Sequence, residues 1–430
     1  MATRASSRPY QIVVFGASGF TGQFVVEEVA RAADGEDYRG QELRWAVAGR
    51  SKKKLEDVLS WAADRMGKPQ LKSIDILISD VSDEESLAEM CKKTSVVLDC
   101  VGPYRFYGEA VVKACIENGA HFLDISGEPK FLESMQMKYN SQAADSGVYV
   151  VGSCGFDSIP ADLGVLFTRN SMQGTLTAVE GFFSLKSGPE GTCLNEGTWQ
   201  SAIHEAKDQA NLKNFRKQLT LKPLPVIGKK LKRRGAIFYS NEVQKYSVLF
   251  PGSDAAVVER TQRYLYENLQ ETPVQYAEYF AVGGITSIIK LMFGGFFFLL
   301  FTLCSCGRKL LIKYPKFFSF GYFSKEGPTA NQIADTSFSI TFFGEGYSQG
   351  KDPQQEKPNV KICTQVSGPE IGYVTTPITV VQAGITILKE PESLPKSGGV
   401  YTPGAAFSKT KLIDRLNKAG IHFTVLSQTE

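Results

Sequence analysis

The chain has 430 residues, 43% of them hydrophobic and 22% charged, which is long enough for two or three domains with a sizeable core. A formal net charge of +3 excludes a broad polyanion-binding surface, so nucleic acid is not an expected partner and any basic patch must be local. Eight scattered cysteines, three histidines and an opening Met-Ala-Thr-Arg without a secretory pattern point to reduced intracellular thiols. They argue against a metal site, because Cys304-Ser305-Cys306 lacks the two-residue spacer of zinc or redox pairs.

From Tyr10 to about Val151 strands and helices alternate with short connections, the pattern of a parallel sheet covered on both faces. The apolar run Ile12-Val13-Val14-Phe15 feeds into Gly16-Ala17-Ser18-Gly19-Phe20-Thr21-Gly22, and a helix is predicted from about Phe20 to Ala33. This is a strand, a phosphate turn and a helix. Gly16 allows the tight turn, Gly19 lets the backbone approach a pyrophosphate, and Gly22 lets helix and strand pack closely. The helix N-terminal amides, with Ser18, Phe20 and Thr21, are candidates to face the anion. The spacing is G-x-x-G-x-x-G, a variant of the dinucleotide fingerprint.

The second strand, Leu43 to Ala48, leads to Gly49-Arg50-Ser51-Lys52-Lys53-Lys54. No carboxylate stands there for a ribose 2′-hydroxyl. The Arg50 guanidinium and Ser51 hydroxyl suit a 2′-phosphate instead, which points to NADP(H) over NAD(H); the alternative, basic residues on the solvated first turn of a helix, fits Lys53 and Lys54 better than Arg50. After a third strand, Ile74 to Ile78, Asp80 is a candidate for the adenine amino group and equally for a helix N-cap. The fourth strand, Val96 to Val101, ends in Gly102-Pro103-Tyr104-Arg105-Phe106-Tyr107. Ligands lie beyond the carboxyl ends of such strands, so Gly102 and Pro103 are expected beside the nicotinamide ribose and Tyr104 or Tyr107 towards the reacting centre. A fifth strand, His121 to Ile125, leads to Ser126-Gly127-Glu128-Pro129, and a sixth, Val148 to Val151, leads to Cys154-Gly155-Phe156-Asp157-Ser158-Ile159-Pro160.

These motifs together, with Ala161-Asp162 and, further on, Glu196-Gly197-Thr198-Trp199-Gln200-Ser201, resemble the saccharopine dehydrogenase superfamily. The likeness is strongest to its saccharopine dehydrogenase-like oxidoreductase branch, related to bacterial trans-acting enoyl reductases of glycolipid synthesis. The resemblance implies an α/β chain with an N-terminal Rossmann-type parallel sheet, a second α+β domain, pyridine-nucleotide chemistry and a homodimer. The expected division is 1–160 for the NADP-binding domain, 161–372 for the substrate and oligomerisation domain, and 373–430 for a segment that packs back on the first.

In the second domain, Leu176 to Leu185 reads as a strand and Thr198 to Gln209 as a helix carrying His204. The basic loop 222–234 mixes prolines, apolar residues and cations, which suits either a solvated segment or an anionic lipid surface. Val282 to Cys304 is nearly all apolar, interrupted by Lys290 and followed by Arg308, Lys309, Lys313 and Lys316. Its uninterrupted part, from Leu291, is short for a span of about 20 residues. A helix lying in one leaflet or in the monolayer of a lipid droplet is the preferred reading, against a transmembrane span, a buried interface or an apolar channel. Ser337 to Gly346 and Val360 to Val366 alternate like antiparallel strands, and a helix is predicted between about Tyr373 and Leu388.

Hydride transfer needs a proton donor near the developing anion. The tyrosine and lysine of short-chain dehydrogenases have a counterpart in spacing only at Tyr347 and Lys351, in an expected loop remote in sequence from the cofactor motifs. The candidates are Tyr104, Tyr107, Glu128 and Asp157, with Asp124 and Cys154 also in view. The expected function is an NADP(H)-dependent reductase of an apolar or acyl-type substrate at a membrane or lipid-droplet surface. The alternatives are a non-catalytic NADP(H)-bound scaffold or redox sensor, and saccharopine dehydrogenase activity.

Overall fold

The computed structural model describes residues 8–218 and 222–429, with the backbone alone at 208–215, 217 and 218. The chain divides into two units. The first comprises residues up to Ile159 together with Gly372–Ala419, and the second comprises Pro160–Ile371 with Gly420 onward.

The first unit follows the predicted alternation: β1 (Tyr10–Phe15), α1 (Phe20–Ala33), β2 (Trp45–Gly49), α2 (Lys52–Met66), β3 (Asp75–Ile78), α3 (Glu84–Lys93), β4 (Thr94–Asp99), α4 (Tyr104–Asn118), β5 (His121–Asp124), α5 (Pro129–Ser146) and β6 (Tyr149–Val151). A seventh strand, Gly399–Tyr401, completes a sheet ordered Gly399–Tyr401, β6, β5, β4, β1, β2, β3. Every pairing in it is parallel. The chain therefore reverses its direction of travel between β1 and β4, the switch point beyond which sheets of this kind bind their ligands. Both strands are apolar throughout their middles, with Ile12, Val13, Val14, Val96, Val97 and Leu98 fully buried, as a sheet covered on both faces requires. The apolar helix Thr376–Lys389 belongs to this core: it is almost entirely buried, and a side chain at Gly384 would press on Leu98 at 3.0 Å.

The second unit is built on a seven-stranded sheet ordered His422–Thr429, Val360–Pro369, Ser337–Tyr347, Thr175–Lys186, Gln275–Val282, Lys245–Leu249, Ile237–Ser240. Only Thr175–Lys186 and Gln275–Val282 run parallel, and the other pairs are antiparallel. Within the range 373–430, the part up to Ala419 thus clusters with the first unit, whereas the final strand pairs with Val360–Pro369. Tyr347, expected in a loop, ends a strand and is buried, and its hydroxyl accepts from the Lys229 amide at 3.2 Å. The basic loop is held at several points. The Leu231 amide donates to Gln275, and Arg234 reaches Glu180 and Glu242 while lying over the rings of Phe182 and Phe238. Lys229, Lys230 and Lys232 line a cleft of about 530 Å³ between this loop and the sheet.

The helix Ile285–Thr302 presents two faces. Phe298 and Phe301 pack with Trp199, Ile203 and Leu311, and the Trp199 indole N–H donates to the Leu311 carbonyl at 2.9 Å. The opposite face, Ile285, Ile289, Met292, Phe293, Phe296, Leu299, Leu300 and Leu303, recurs every three or four residues and is exposed along its whole length.

Candidate functional site

The turn after β1 is shaped for close approach. Gly16 has φ +78°, and a Cβ there would come 2.6 Å from the Val101 side chain; a Cβ at Gly22 would come 2.2 Å from the Gly16 carbonyl oxygen. Only glycine fits either position. Gly19 is the N-cap of α1, with its amide donating back to Gly16 at 2.9 Å. The first turn of α1 carries no acidic residue, so its free amides and the positive end of the helix dipole meet an anion unopposed. Ser18 and Gly19 are exposed at this end, with Phe20 and Thr21 half-buried behind them; Phe20 packs edge-on against Tyr373.

Gly49 ends β2 within reach of Ser18: a Cβ on it would lie 3.9 Å from the Ser18 hydroxyl. Arg50 follows, exposed, and Ser51 caps α2, its hydroxyl accepting from the Lys54 amide. Asp80, after β3, accepts from the Ser82 amide at 3.0 Å and hydroxyl at 2.7 Å. These bonds, assisted by the Arg50 charge, hold its carboxyl below the usual range. The N-cap role open to Asp80 in the sequence falls to Asp83, whose carboxylate accepts from the Glu85 and Ser86 amides. Arg50, Ser51 and Asp80 thus lie at neighbouring strand ends, β2 and β3 being paired.

Beyond β4 the peptide between Gly102 and Pro103 is cis, and Pro103 is the N-cap of α4. Glu128 is buried and caps the same helix from the next strand connection. Its carboxylate accepts from the amides of Tyr104 at 3.0 Å and Arg105 at 3.2 Å and from the Arg105 guanidinium at 2.9 Å. Tyr104 is buried as well, its hydroxyl donating to the Asp99 carbonyl at 2.8 Å; burial, with the nearby Asp99 and Asp124, pushes that phenol well above its usual range. Tyr107 is 40% exposed on the same turn, beside the exposed ring of Phe106. Asp157 is half-buried in the loop after β6, and burial raises its carboxyl above the usual range. Cys154 is fully buried, and burial raises its thiol strongly.

A further carboxylate, absent from the sequence-based candidates, stands at the centre. Asp99 ends β4 in register with Asp124 on β5, and both are buried. Asp124 accepts from the Ser126 amide at 2.9 Å and the Ser153 amide at 2.7 Å. Asp99 accepts from the Val101 amide at 2.9 Å through one oxygen, while its other carboxylate oxygen has no hydrogen-bond partner among the described residues. Burial, reinforced by Asp124, pushes Asp99 well above the usual carboxylate range. The signal in the sequence was a charge closing an otherwise apolar strand. Ser153 was also overlooked: with φ +61° it holds a left-handed backbone conformation, fixed by its hydroxyl bond to the Ser126 carbonyl.

The glycine cradle, the acid-free helix start and the cationic end of β2 fit a dinucleotide carrying a 2′-phosphate. Comparison with known proteins agrees. The family described as saccharopine dehydrogenase NADP binding domain matches residues 12–151. A human saccharopine dehydrogenase-like oxidoreductase is 63% identical over 431 residues, covering both chains completely. A Caenorhabditis elegans protein named lipid droplet localized protein is 40% identical over 97% of this chain and 99% of its own. A Mycobacterium tuberculosis protein named as a trans-acting enoyl reductase is 27% identical over 97% of each chain. Among solved structures, the L-glutamate-forming saccharopine dehydrogenase of Saccharomyces cerevisiae shares the fold, with a TM-score of 0.54 at 12% identity over 97% of this chain and all of that one. The chain therefore belongs to the saccharopine dehydrogenase-like oxidoreductases, an oxidoreductase family whose N-terminal Rossmann-type domain binds NADP(H).

Proposed function

We propose that the protein is an NADP(H)-dependent reductase of an apolar, acyl-type substrate and that it works on a lipid surface, at a membrane or a lipid droplet. The observation that carries the reading is the exposed apolar stripe of helix Ile285–Thr302, in a chain that also holds an intact dinucleotide cradle. The helix is long and apolar enough to cross a bilayer, yet its other face is anchored by Trp199, Phe298 and Phe301. A helix packed on one side and bare on the other lies flat in an interface. Phe317, 76% exposed, with Phe320 and Tyr322, extends the apolar surface, and Lys309, Lys313 and Lys316 lie beside it to meet anionic headgroups. The lysines of the basic loop serve the same end. The names of the nematode and mycobacterial relatives support both parts of the reading.

When bound, NADPH supplies the hydride. Gly16, Gly19 and Gly22 admit the pyrophosphate to the helix start, Ser18, Phe20 and Thr21 border it, and Arg50 and Ser51 hold the 2′-phosphate. Asp80 faces the adenine end, and Gly102 and Pro103 face the nicotinamide ribose. Among the candidate acids, Tyr104 and Glu128 spend their polar atoms on the fold and act as positioning residues. Asp157, its carboxyl raised by burial, holds the proton to be delivered, and Tyr107 contacts substrate at the rim. Saccharopine fits poorly, because Arg105, the cation nearest these motifs, is engaged by Glu128. The free edge of the second sheet, with Val425 and Leu426 exposed, favours pairing of two copies.

Three measurements test this reading. Titration with NADPH and NADH should show NADPH preferred, and Arg50→Ala should erase the preference by weakening NADPH about 10- to 100-fold, the worth of one or two charge-assisted hydrogen bonds. Flotation with anionic liposomes should be lost when Met292, Phe296 and Leu299 are all changed to serine. Equal flotation of that variant would contradict the lipid-surface part, and equal binding of both nucleotides to Arg50→Ala and the parent would contradict the cofactor part. Saccharopine turnover at about 1 per second or more would overturn the substrate assignment.

A further inference from the structure

The exposed stripe of the apolar helix ends on a pair of thiols. Leu303, 80% exposed, is followed by Cys304 and Cys306, the only two of the eight cysteines that are exposed. They sit at the join between helix Ile285–Thr302 and helix Ser305–Lys313, where Cys304 is the N-cap and its sulfur accepts from the Gly307 amide at 3.3 Å. The two sulfurs lie 3.4 Å apart. Exposed Lys309 and half-buried Arg308 follow on the next turn, so the thiols stand between an apolar surface and a cationic one.

We propose that Cys304, with Cys306 beside it, is a reversible S-acylation site that receives a long-chain acyl group from an acyl thioester such as acyl-coenzyme A. The proposal rests on the lipid-surface reading above. A chain attached at Cys304 starts where the stripe ends and enters the same lipid layer as Leu299, Leu300 and Leu303. The Gly307 amide bond, followed by the contact with Cys306 and the Arg308 charge, lowers the Cys304 thiol below its usual range and raises its thiolate fraction. In the step, the Cys304 thiolate attacks the carbonyl carbon of the donor. A new carbon–sulfur bond forms, the donor's carbon–sulfur bond breaks, and the donor sulfur leaves to take up the proton that Cys304 released. No electrons are gained or lost. Cys306 lies within reach of the same carbonyl as a second acceptor. An acyl chain added to an interfacial helix supplies the second signal that stable membrane residence requires.

The test uses full-length protein made in eukaryotic cells. Free thiols are blocked, hydroxylamine is added to cleave thioesters, and newly freed thiols are labelled and located by peptide mass. The expected result is hydroxylamine-dependent label confined to the peptide containing Cys304 and Cys306. It should be absent from the Cys304→Ser, Cys306→Ser double variant, which should still float with liposomes but leave them about tenfold faster. Absence of hydroxylamine-dependent label from a parent protein that floats normally would overturn the proposal and leave the lipid-surface reading standing. Thiols released by a reductant and not by hydroxylamine would overturn it in favour of a disulfide between the pair. Unacylated protein from bacteria that fails to bind phosphatidylcholine and phosphatidylserine vesicles would overturn the lipid-surface reading itself.

Discussion

Gly22 has no room for a side chain, because a Cβ would stand 2.2 Å from a backbone oxygen of the phosphate turn. Gly22→Ala must therefore push α1 away from β1, and the expected loss is about 1–3 kcal/mol of stability together with NADPH affinity. Thermal unfolding and nucleotide titration check it. Asp99 makes a contrasting case. Its carboxyl is pushed well above the usual range, by burial first and by Asp124 as well, so the folded state gives up stability as pH rises and unfolded chains ionise at this position. Asp99→Asn keeps the acceptor for the Val101 amide and removes the penalty, so the variant should gain stability over the parent as pH rises from about 4. Equal pH slopes for both proteins would contradict the assignment. Asp157→Asn should cut turnover about 100-fold while NADPH binding stays unchanged, which separates proton delivery from cofactor positioning. At this scale the sequence is uneven. The glycines, Arg50 and Pro103 are legible because spacing alone fixes their place on a strand–turn–helix unit. The partners of Tyr104 and Glu128 are not, because they depend on two strand connections meeting in space, and Asp99 was hidden among the apolar residues of its own strand.

The helix Ile285–Thr302 is the element on which the cellular reading turns. Its composition announced an apolar surface, yet the choice between buried, spanning and surface-lying required knowing which face is packed. Helix Thr376–Lys389 illustrates the point: its composition also passes for a membrane segment, but it lies in the core of the first unit. For Ile285–Thr302 the packed face is set by Trp199, about a hundred residues earlier, whose indole bond to Leu311 no local pattern reveals. Trp199→Ala should cost about 3–5 kcal/mol and loosen the apolar helix from the second unit, measurable by denaturant unfolding and by protease access at the helix ends. The strands Thr175–Lys186, Ser337–Tyr347 and Val360–Pro369 were legible in the sequence, whereas the pairing of Thr175–Lys186 with strands on both sides was not.

At the scale of the whole molecule, stability should respond to acid through a residue that takes no part in the proposed chemistry. His121, at the start of β5, accepts from the Tyr149 amide at 3.1 Å; burial first, and the Arg8 charge second, press its pKa down to about 4. The folded chain holds this imidazole neutral while unfolded chains protonate it near pH 6.5. Stability is therefore full above that value and falls as pH drops towards 4, by up to about 3 kcal/mol, and His121→Asn should flatten this part of the profile. The larger organisation joins a dinucleotide-binding unit to a unit with an exposed apolar helix, and these are the two parts that the proposed reductase of a lipid-phase substrate would need.

The most direct test follows NADPH oxidation by the full-length protein on anionic vesicles that carry long-chain enoyl and keto thioesters, beside their water-soluble short-chain counterparts. The long-chain substrates should turn over at about 1 per second or more, dependent on the vesicles, and this turnover should be lost in the variant with Met292, Phe296 and Leu299 changed to serine. Tight NADPH binding with no oxidation across the whole panel would contradict it and assign the protein to cofactor-bound scaffolding on lipid surfaces.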